Sequence, residues 1–175
     1  MSTAATAPNP LVAQFLQLLG FEHKTTMKVL QALPAGRLDF KPHERNMTAR
    51  QLAWHVAYSQ YGLARIVSMG RLEYNEPAAP EGLAEIVAGC ETYYQQTCDA
   101  LSGLTPQQLQ AEIPLPNGHS IPAAALMWNA VLFHQIHHRG QLAIYIRMMG
   151  GKVPSIYGPS GDDNPFGTRL SESGT

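Results

Sequence analysis

Residues 134–149 read HQIHHRGQLAIYIRMM and carry the pattern that decides the fold. Apolar residues in and around this stretch recur at helical spacing, and the same stripe takes in two histidines: Met127, Val131, His134, His138, Leu142, Tyr145 and Met149. The pair Gly150-Gly151 then stops the pattern, because glycine favours the end of a helix over its interior. The stretch therefore predicts a long helix from Ile121 or Pro122 to about Met149.

Three further amphipathic helices are predicted upstream. The first extends from about Pro10 to Leu33, the second from Thr48 to Gly70, and the third from Leu83 to about Gly103. Thr48 and Gln51 have the spacing of a capping box, which places the start of the second helix. Four amphipathic helices without a sheet predict an all-α fold, a four-helix bundle.

The connections between these helices are rich in proline and glycine. Asn75–Gly82 is predicted as a connector, and Thr105-Pro106 as the start of one short extra turn of helix. Glu112–Pro122 contains the turn dipeptide Asn117-Gly118 and is expected to be an extended excursion or a short hairpin. No internal repeat and no second domain are evident.

The length of 175 residues fits one domain, since domains run to roughly 100–200 residues. We predict a single bundle domain at 10–160, with flexible or irregular termini at 1–9 and 161–175. Prolines and glycines are frequent in 151–175, which predicts an irregular C-terminal tail.

The charge balance argues against nucleic acid as a partner. Twelve Lys and Arg against 13 Asp and Glu create no basic field that would gather phosphates. Charged residues make up 14% of the chain, where about 25% is usual. So few surface charges favour a homo-oligomer.

Cysteine spacing and the N-terminus bear on the compartment. Cys90 and Cys98 fall in the third helix without C-x-x-C spacing, so we expect buried reduced thiols rather than a disulfide framework or a thiolate zinc site. The first residues have neither a basic nor an apolar signal region, and no run of 18 apolar residues occurs. We therefore expect a cytoplasmic protein without a membrane segment.

Three histidines occupy inward-facing positions. His134 and His138 lie about 40° apart on one helix face, whereas His137 lies about 60° from His134 on the other side. His55 falls in the apolar stripe of the second helix. Buried imidazoles without partners are costly, and a divalent ion bound by His55, His134 and His138 would explain all three positions.

Other interpretations of the same residues stay open. Each histidine could instead be a core residue with a hydrogen-bond partner, in a bundle without metal. His23 could be a fourth ligand, a base behind the ligands, or a packed edge position. Tyr58 and Gln141 could line the pocket, bond the free nitrogen of a ligand, or simply pack. The zincin glutamate is missing between His134 and His138, which excludes the metalloprotease motif.

The stretch 134–150, its continuation VPSIYGPS at 153–160, and QLAWH at 51–55 resemble the signatures of the DinB-like (DinB/YfiT) superfamily. The resemblance covers nearly the whole chain. It implies a four-helix bundle, often homodimeric, that binds nickel, zinc or iron through His55, His134 and His138. It also implies a metal-dependent hydrolase or a thiol-dependent transferase acting on a small molecule.

Sequence assigns neither a catalytic nor a substrate-binding residue. The candidate bases all have plausible surface or capping roles: Glu44, Glu73, Glu76, Glu85, Glu91 and Glu112. Arg139 and Arg147 could meet an anionic substrate or form structural ion pairs, and residues 157–160 are expected to fold back over the bundle. The alternative function is a metal-binding or sensing homodimer without turnover.

Overall fold

The computed structural model describes residues 9–167, and helices dominate it. The elements in chain order are α1 (Pro10–Gln31), a 3₁₀ turn (Ala35–Arg37), α2 (Ala49–Met69), α3 (Leu83–Ser102), α4 (Pro106–Gln110), β1 (Glu112–Pro114), β2 (Ser120–Pro122), α5 (Ala123–Leu126), a π-helical segment (Met127–Phe133) and α6 (His134–Met148). The last three follow one another without a break and together form the fourth helix of the bundle.

Four helices form the bundle, as predicted. α2 makes its main contacts with α3 and with the fourth helix, and α1 makes its main contacts with the same two neighbours. α1 and α2 therefore occupy opposite corners. This arrangement places α2 directly against α6, which is the contact that the predicted histidine site requires.

The start and end of α2 follow from local sequence. The Gln51 backbone N–H donates to Thr48 Oγ1 at 3.1 Å, and the Thr48 N–H donates to Gln51 Oε1 at 2.9 Å. This is the predicted capping box, which satisfies two backbone donors at the helix start. Gly70 ends the helix at φ +67°, a left-handed conformation that glycine adopts without strain.

Two boundaries differ from the sequence prediction. The fourth helix begins at Ala123 because Ile121 and Pro122 belong to β2, where they pair with Ile113 and Glu112. The short hairpin predicted for this region is therefore confirmed. α1 ends at Gln31, somewhat before the predicted stop at Leu33. The π-helical segment was not predicted.

A layer of buried polar residues divides the core into two hydrophobic clusters. The first cluster contains Leu30, Leu52, Ile86, Leu142 and Ile146 among others. The second contains Phe15, Ile66, Leu101, Met127 and Leu132 among others. Along every bundle helix the residues between the two clusters include buried polar ones, here called the polar layer: Glu22, Thr26, Ser59, Gln60, Thr97, Gln135 and Arg139.

Arg139 is the largest member of the polar layer and is 1% exposed. Its guanidinium lies 2.7 Å from the Glu22 carboxylate and donates to the Glu22 carbonyl at 3.1 Å. The Tyr157 hydroxyl donates to Glu22 Oε2 at 2.7 Å and accepts a hydrogen bond from Arg139. Arg139 is therefore a structural ion-pair partner, and the substrate-binding alternative for it is wrong.

The segment after α6 folds back over the bundle, as the contact from Tyr157 shows. Asp162 pairs with Arg147 at 2.5 Å and accepts from the Val153 N–H at 2.8 Å. The Asp163 carboxylate accepts from the Ser155 N–H at 2.8 Å. Arg147 is thus also a structural ion-pair partner. Of the flexible or irregular termini predicted at 1–9 and 161–175, residues 1–8 and 168–175 lie outside the described residues.

Both cysteines are free thiols, with Cys90 buried and Cys98 half-buried. Burial raises the pKa of the Cys90 thiol to about 12. In the part of the chain from residue 9 to 167, none of the helices has the length and apolar character needed to cross a membrane.

Candidate metal centre

Three histidines meet where α2 packs against α6. His134 Nε2 lies 3.4 Å from His55 Nε2 and 3.1 Å from His138 Nε2. Among residues 9–167, these three are the one group of at least three His, Cys, Asp or Glu whose ligand atoms lie within 4.8 Å of one another. The structure therefore brings together the three residues selected by helical spacing. Their binding of a metal stays a prediction.

The nitrogen separations suit a shared ion. Imidazole nitrogens bind zinc at about 2.0–2.1 Å, so two of them stand about 3.3–3.4 Å apart in a tetrahedral site and about 2.9 Å apart at right angles. The observed 3.1 and 3.4 Å lie in this range. Two of the three nitrogen pairs therefore already have the spacing that a shared ion would require.

Hydrogen bonds fix the tautomer of two of the rings. His55 Nδ1 lies 2.7 Å from Glu76 Oε2, and because a carboxylate only accepts, the ring hydrogen is on Nδ1. His138 Nδ1 lies 2.8 Å from Gln141 Oε1, which makes the same assignment. Both Nε2 lone pairs are thus directed at the centre, as metal-binding histidines require. Gln141 fills the role suggested for it, bonding the free nitrogen of a candidate ligand.

His134 lacks such a partner. Its Nδ1 is buried and has no hydrogen bond to any described residue. Burial and the nearby rings of His138 and His55 lower its pKa to about 4. Burial likewise lowers the pKa of His138. All of this favours neutral imidazole, which is the form that binds metal.

Acid should destabilise the metal-free protein through His134. Its folded pKa of about 4 lies below the ordinary 6.5, so the unfolded chain binds more protons between these values and stability is lost as pH falls through them. Urea unfolding of chelator-treated protein at about pH 7 and about pH 5 measures the loss. His134→Asn, which cannot take up this proton, should lose less; equal losses in both proteins would contradict the assignment.

The connector between α2 and α3, residues 70–82, is held against α2 by backbone acceptors. The Trp54 indole N–H donates to the Pro77 carbonyl at 2.8 Å. The Tyr58 hydroxyl donates to the Asn75 carbonyl at 2.5 Å. Tyr58 therefore has a structural role, and the two bonds on either side of Glu76 fix the position of its carboxylate.

A close approach at Gly62 also anchors the connector. A Cβ on Gly62 would lie 2.7 Å from the Tyr74 ring, so only glycine lets this ring rest on α2. The Tyr74 hydroxyl donates to Glu76 Oε2 at 2.6 Å. Although burial opposes ionisation of Glu76, the hydrogen bonds from His55 and Tyr74 lower its pKa overall. In the hydrogen-bonded series Tyr74–Glu76–His55, the Glu76 carboxylate is thus ionised.

Glu76→Gln should weaken zinc binding by about 10–100-fold, the usual effect of losing the partner behind a metal-binding histidine. An amide can donate to His55 Nδ1 and so stabilise the wrong tautomer. Competition with a chromogenic chelator measures the affinity.

Glu73→Gln is the matched control for this substitution. Glu73 pairs with exposed Arg71 at 2.8 Å and does not touch the histidines. Equal zinc affinity in the Glu76 and Glu73 variants would mean that Glu76 does not support the centre.

Sequence reasoning missed the role of Glu76. It stands in a connector with no fixed spacing to His55, and nothing in its sequence context distinguishes it from carboxylates with surface or capping roles. Glu85 does have a capping role, since its carboxylate accepts from the Gly82 N–H at 3.2 Å. His23 is no fourth ligand here: its Nε2 lies 2.9 Å from Glu91, and its ring stacks on Tyr94.

Comparisons with known proteins agree with this architecture. A model described as the DinB family matches residues 1–165. Uncharacterized protein YrdA of Bacillus subtilis (strain 168) is 30% identical over 156 residues, covering 85% of this chain and 89% of YrdA. Uncharacterized protein YjoA of the same strain is 28% identical over 144 residues, covering 81% and 90%.

Solved structures show the same fold. The crystal structure of YjoA, a DinB-like protein, has a TM-score of 0.65 at 27% identity and covers 82% of this chain and 94% of that one. YfiT from Bacillus subtilis has a TM-score of 0.62 at 18% identity, covering 87% and 95%. YfiT is described as a probable metal-dependent hydrolase with an unusual four-helix bundle topology.

Proposed function

The chain belongs to the DinB family, and from this premise we propose that it is a metal-dependent hydrolase of a small molecule. His55, His134 and His138 would hold the ion, which is zinc, nickel or iron. The observation that carries the proposal is the convergence of three imidazole Nε2 atoms at one point between α2 and α6.

The donor set supports catalysis over a purely structural role. Structural zinc sites have four protein ligands, whereas catalytic sites have three and an open position. Within residues 9–167, no fourth His, Cys, Asp or Glu joins the three histidines. A metal-binding or sensing protein without turnover, the alternative function, would be better served by a closed site.

The residues around the proposed centre have distinct roles. A bound divalent ion supplies Lewis acidity and lowers the pKa of water, which makes a nucleophile available at neutral pH. His55 and His138 present unprotonated Nε2 atoms because Glu76 and Gln141 hold their Nδ1 hydrogens. Glu76 also keeps a negative charge beside the centre, which strengthens His55 as a donor.

Thiol-dependent group transfer is the second reaction kept in the proposal, because the same ion would lower the pKa of a thiol. The description of YfiT as a probable metal-dependent hydrolase supports hydrolysis first. A small-molecule substrate, a homodimeric state and a cytoplasmic location belong to the same proposal. The low charged fraction of 14% supports a homo-oligomer.

Elemental analysis of untagged protein, purified without chelators, tests the site, with the His55→Ala/His134→Ala double variant alongside. Near-stoichiometric metal that is lost in the variant is the expected result. The metal found is then used to reload the protein for ester, amide and thiol-transfer assays. Absence of metal from both proteins, even after incubation with zinc, nickel and iron(II), would refute the proposal. Stoichiometric metal without turnover in any assay would favour the sensing alternative.

A further inference from the structure

A cleft of about 360 Å³ opens beside His55. Its walls come from the chain before α2, from the first turns of α2 and from the connector: Met47, Gln51, Trp54, His55, Glu76, Pro77, Ala78 and Ala79. Small-molecule sites typically occupy about 300–1,000 Å³, so the cleft suits a compact ligand. The His55 ring forms part of the wall, which brings the cleft to the edge of the three-histidine centre.

Glu76 offers this cleft one free acceptor. The hydrogen bonds from His55 Nδ1 and from the Tyr74 hydroxyl both end on Oε2. In the described part of the chain, Oε1 takes no hydrogen bond, and 24% of the side chain is exposed. A ligand N–H group could therefore bond Oε1 without disturbing the contact that fixes His55.

Gln51 offers a donor on the same wall. Its Oε1 is used in the capping box, where it accepts from the Thr48 N–H at 2.9 Å. Its amide nitrogen makes no hydrogen bond with residues 9–167, and the side chain is exposed. A ligand carbonyl is the natural partner for this N–H group.

Positive charge is missing from the lining, which contains neither lysine nor arginine among the described residues. The neighbouring Arg50 is directed away, toward Asp39 at 3.4 Å and toward Glu81. In the metal-free protein, an anion in the cleft would face the Glu76 carboxylate without a compensating cation, and like charges in a partly desolvated site repel.

We propose that this cleft binds a small molecule that carries an N–H group, an amine or an amide, and that in the metal-free protein it discriminates against carboxylates and phosphates. An amide is matched at both ends, with its N–H on Glu76 Oε1 and its carbonyl on Gln51. The assignment of the cleft as a substrate site rests on the proposed function. Its charge preference depends only on the residues of the cleft, so it can be measured on the metal-free protein.

Three probes of similar size test the preference: benzylamine, benzamide and benzoate. Their dissociation constants are measured by ligand-observed NMR on chelator-treated protein and again on zinc-loaded protein. We expect benzylamine and benzamide to bind the metal-free protein at least about tenfold more tightly than benzoate, the change that about 1.4 kcal/mol brings. Equal or tighter binding of benzoate to the metal-free protein, or no binding of any probe to it, would overturn the proposal.

A positive charge added to the wall of the cleft tests whether the ligand preference arises there. Ala78 is an exposed residue of the wall, so Ala78→Lys should fold and should shift the preference toward benzoate. Ala88→Lys adds the same charge at an exposed position of α3 outside the cleft and should leave the preference unchanged. Equal effects of the two lysines would overturn the assignment to this cleft.

The experiments distinguish failure of the cleft proposal from failure of the metal-site proposal. If zinc does not bind but the metal-free protein still prefers benzylamine, the hydrolase proposal falls and the ligand preference stands. If zinc binds stoichiometrically but charge selectivity is absent, the metal site stands and the cleft proposal falls.

Discussion

His134→Ala should abolish the stabilisation that zinc gives to the protein. Zinc at about 1,000 times its dissociation constant should raise the free energy of unfolding of the wild type by about 4 kcal/mol, because an ion that binds only the folded state shifts the equilibrium. The variant retains two of the three converging nitrogens and should show little of this gain at the same zinc concentration. Urea unfolding with and without zinc measures both values.

The metal-free variant should be nearly as stable as the metal-free wild type. His134 has a buried Nδ1 without a partner, so its removal relieves a desolvation cost while it leaves a cavity. If the variant loses stability only when zinc is present, the cause is the loss of a metal ligand and not a change in packing.

His137→Ala is the matched control for His134→Ala. It removes the same side chain from the same helix, but His137 is exposed and its Nε2 meets only Gln141, at 3.1 Å. The zinc gain should therefore persist. An unchanged zinc gain in His134→Ala itself would refute the three-histidine site.

Arg139→Ala is expected to lower the free energy of unfolding by about 3–5 kcal/mol, since it leaves the buried Glu22 carboxylate without its ion-pair partner. Glu22 is 4% exposed, so water cannot readily replace the guanidinium. The Tyr157 hydroxyl alone cannot neutralise the charge. Chemical denaturation of the metal-free proteins measures this loss independently of the site.

Two comparisons decide whether the unpaired charge is the cause. The double variant Glu22→Leu/Arg139→Leu removes both charges and should recover much of the stability lost in Arg139→Ala. Arg147→Ala breaks an ion pair whose arginine is half exposed, and it should have a much smaller effect. A double variant less stable than Arg139→Ala would show that packing, not charge, dominates.

Sequence reasoning identified the helices and the histidines because both follow from local periodicity. The capping box at Thr48 located the start of α2, and the apolar stripes showed that His55 faces inward. His138 follows His134 by four positions, which places both rings on one face of any α-helix. Only the meeting of α2 with α6 had to come from tertiary structure.

The remaining features depend on contacts between distant parts of the chain. Glu22 and Arg139 form a pair only because α1 lies beside α6, and neither residue shows this in its own helix. Glu76 reaches His55 because two carbonyl contacts fix the connector. The π-helical segment has no distinctive composition, so periodicity extended one regular helix through it.

The polar layer governs which bundle the chain can form. Two purely hydrophobic clusters would tolerate a helix that slides by one turn or exchanges places with a neighbour, because apolar contacts are not directional. Sliding α6 by one turn would separate Arg139 from Glu22 and Gln135 from Gln60, whose amides are 2.7 Å apart. Each separated group would then be buried without a partner. The ion pair and the amide contact in the polar layer therefore set the helix register, and this register aligns His55 with the histidines of α6.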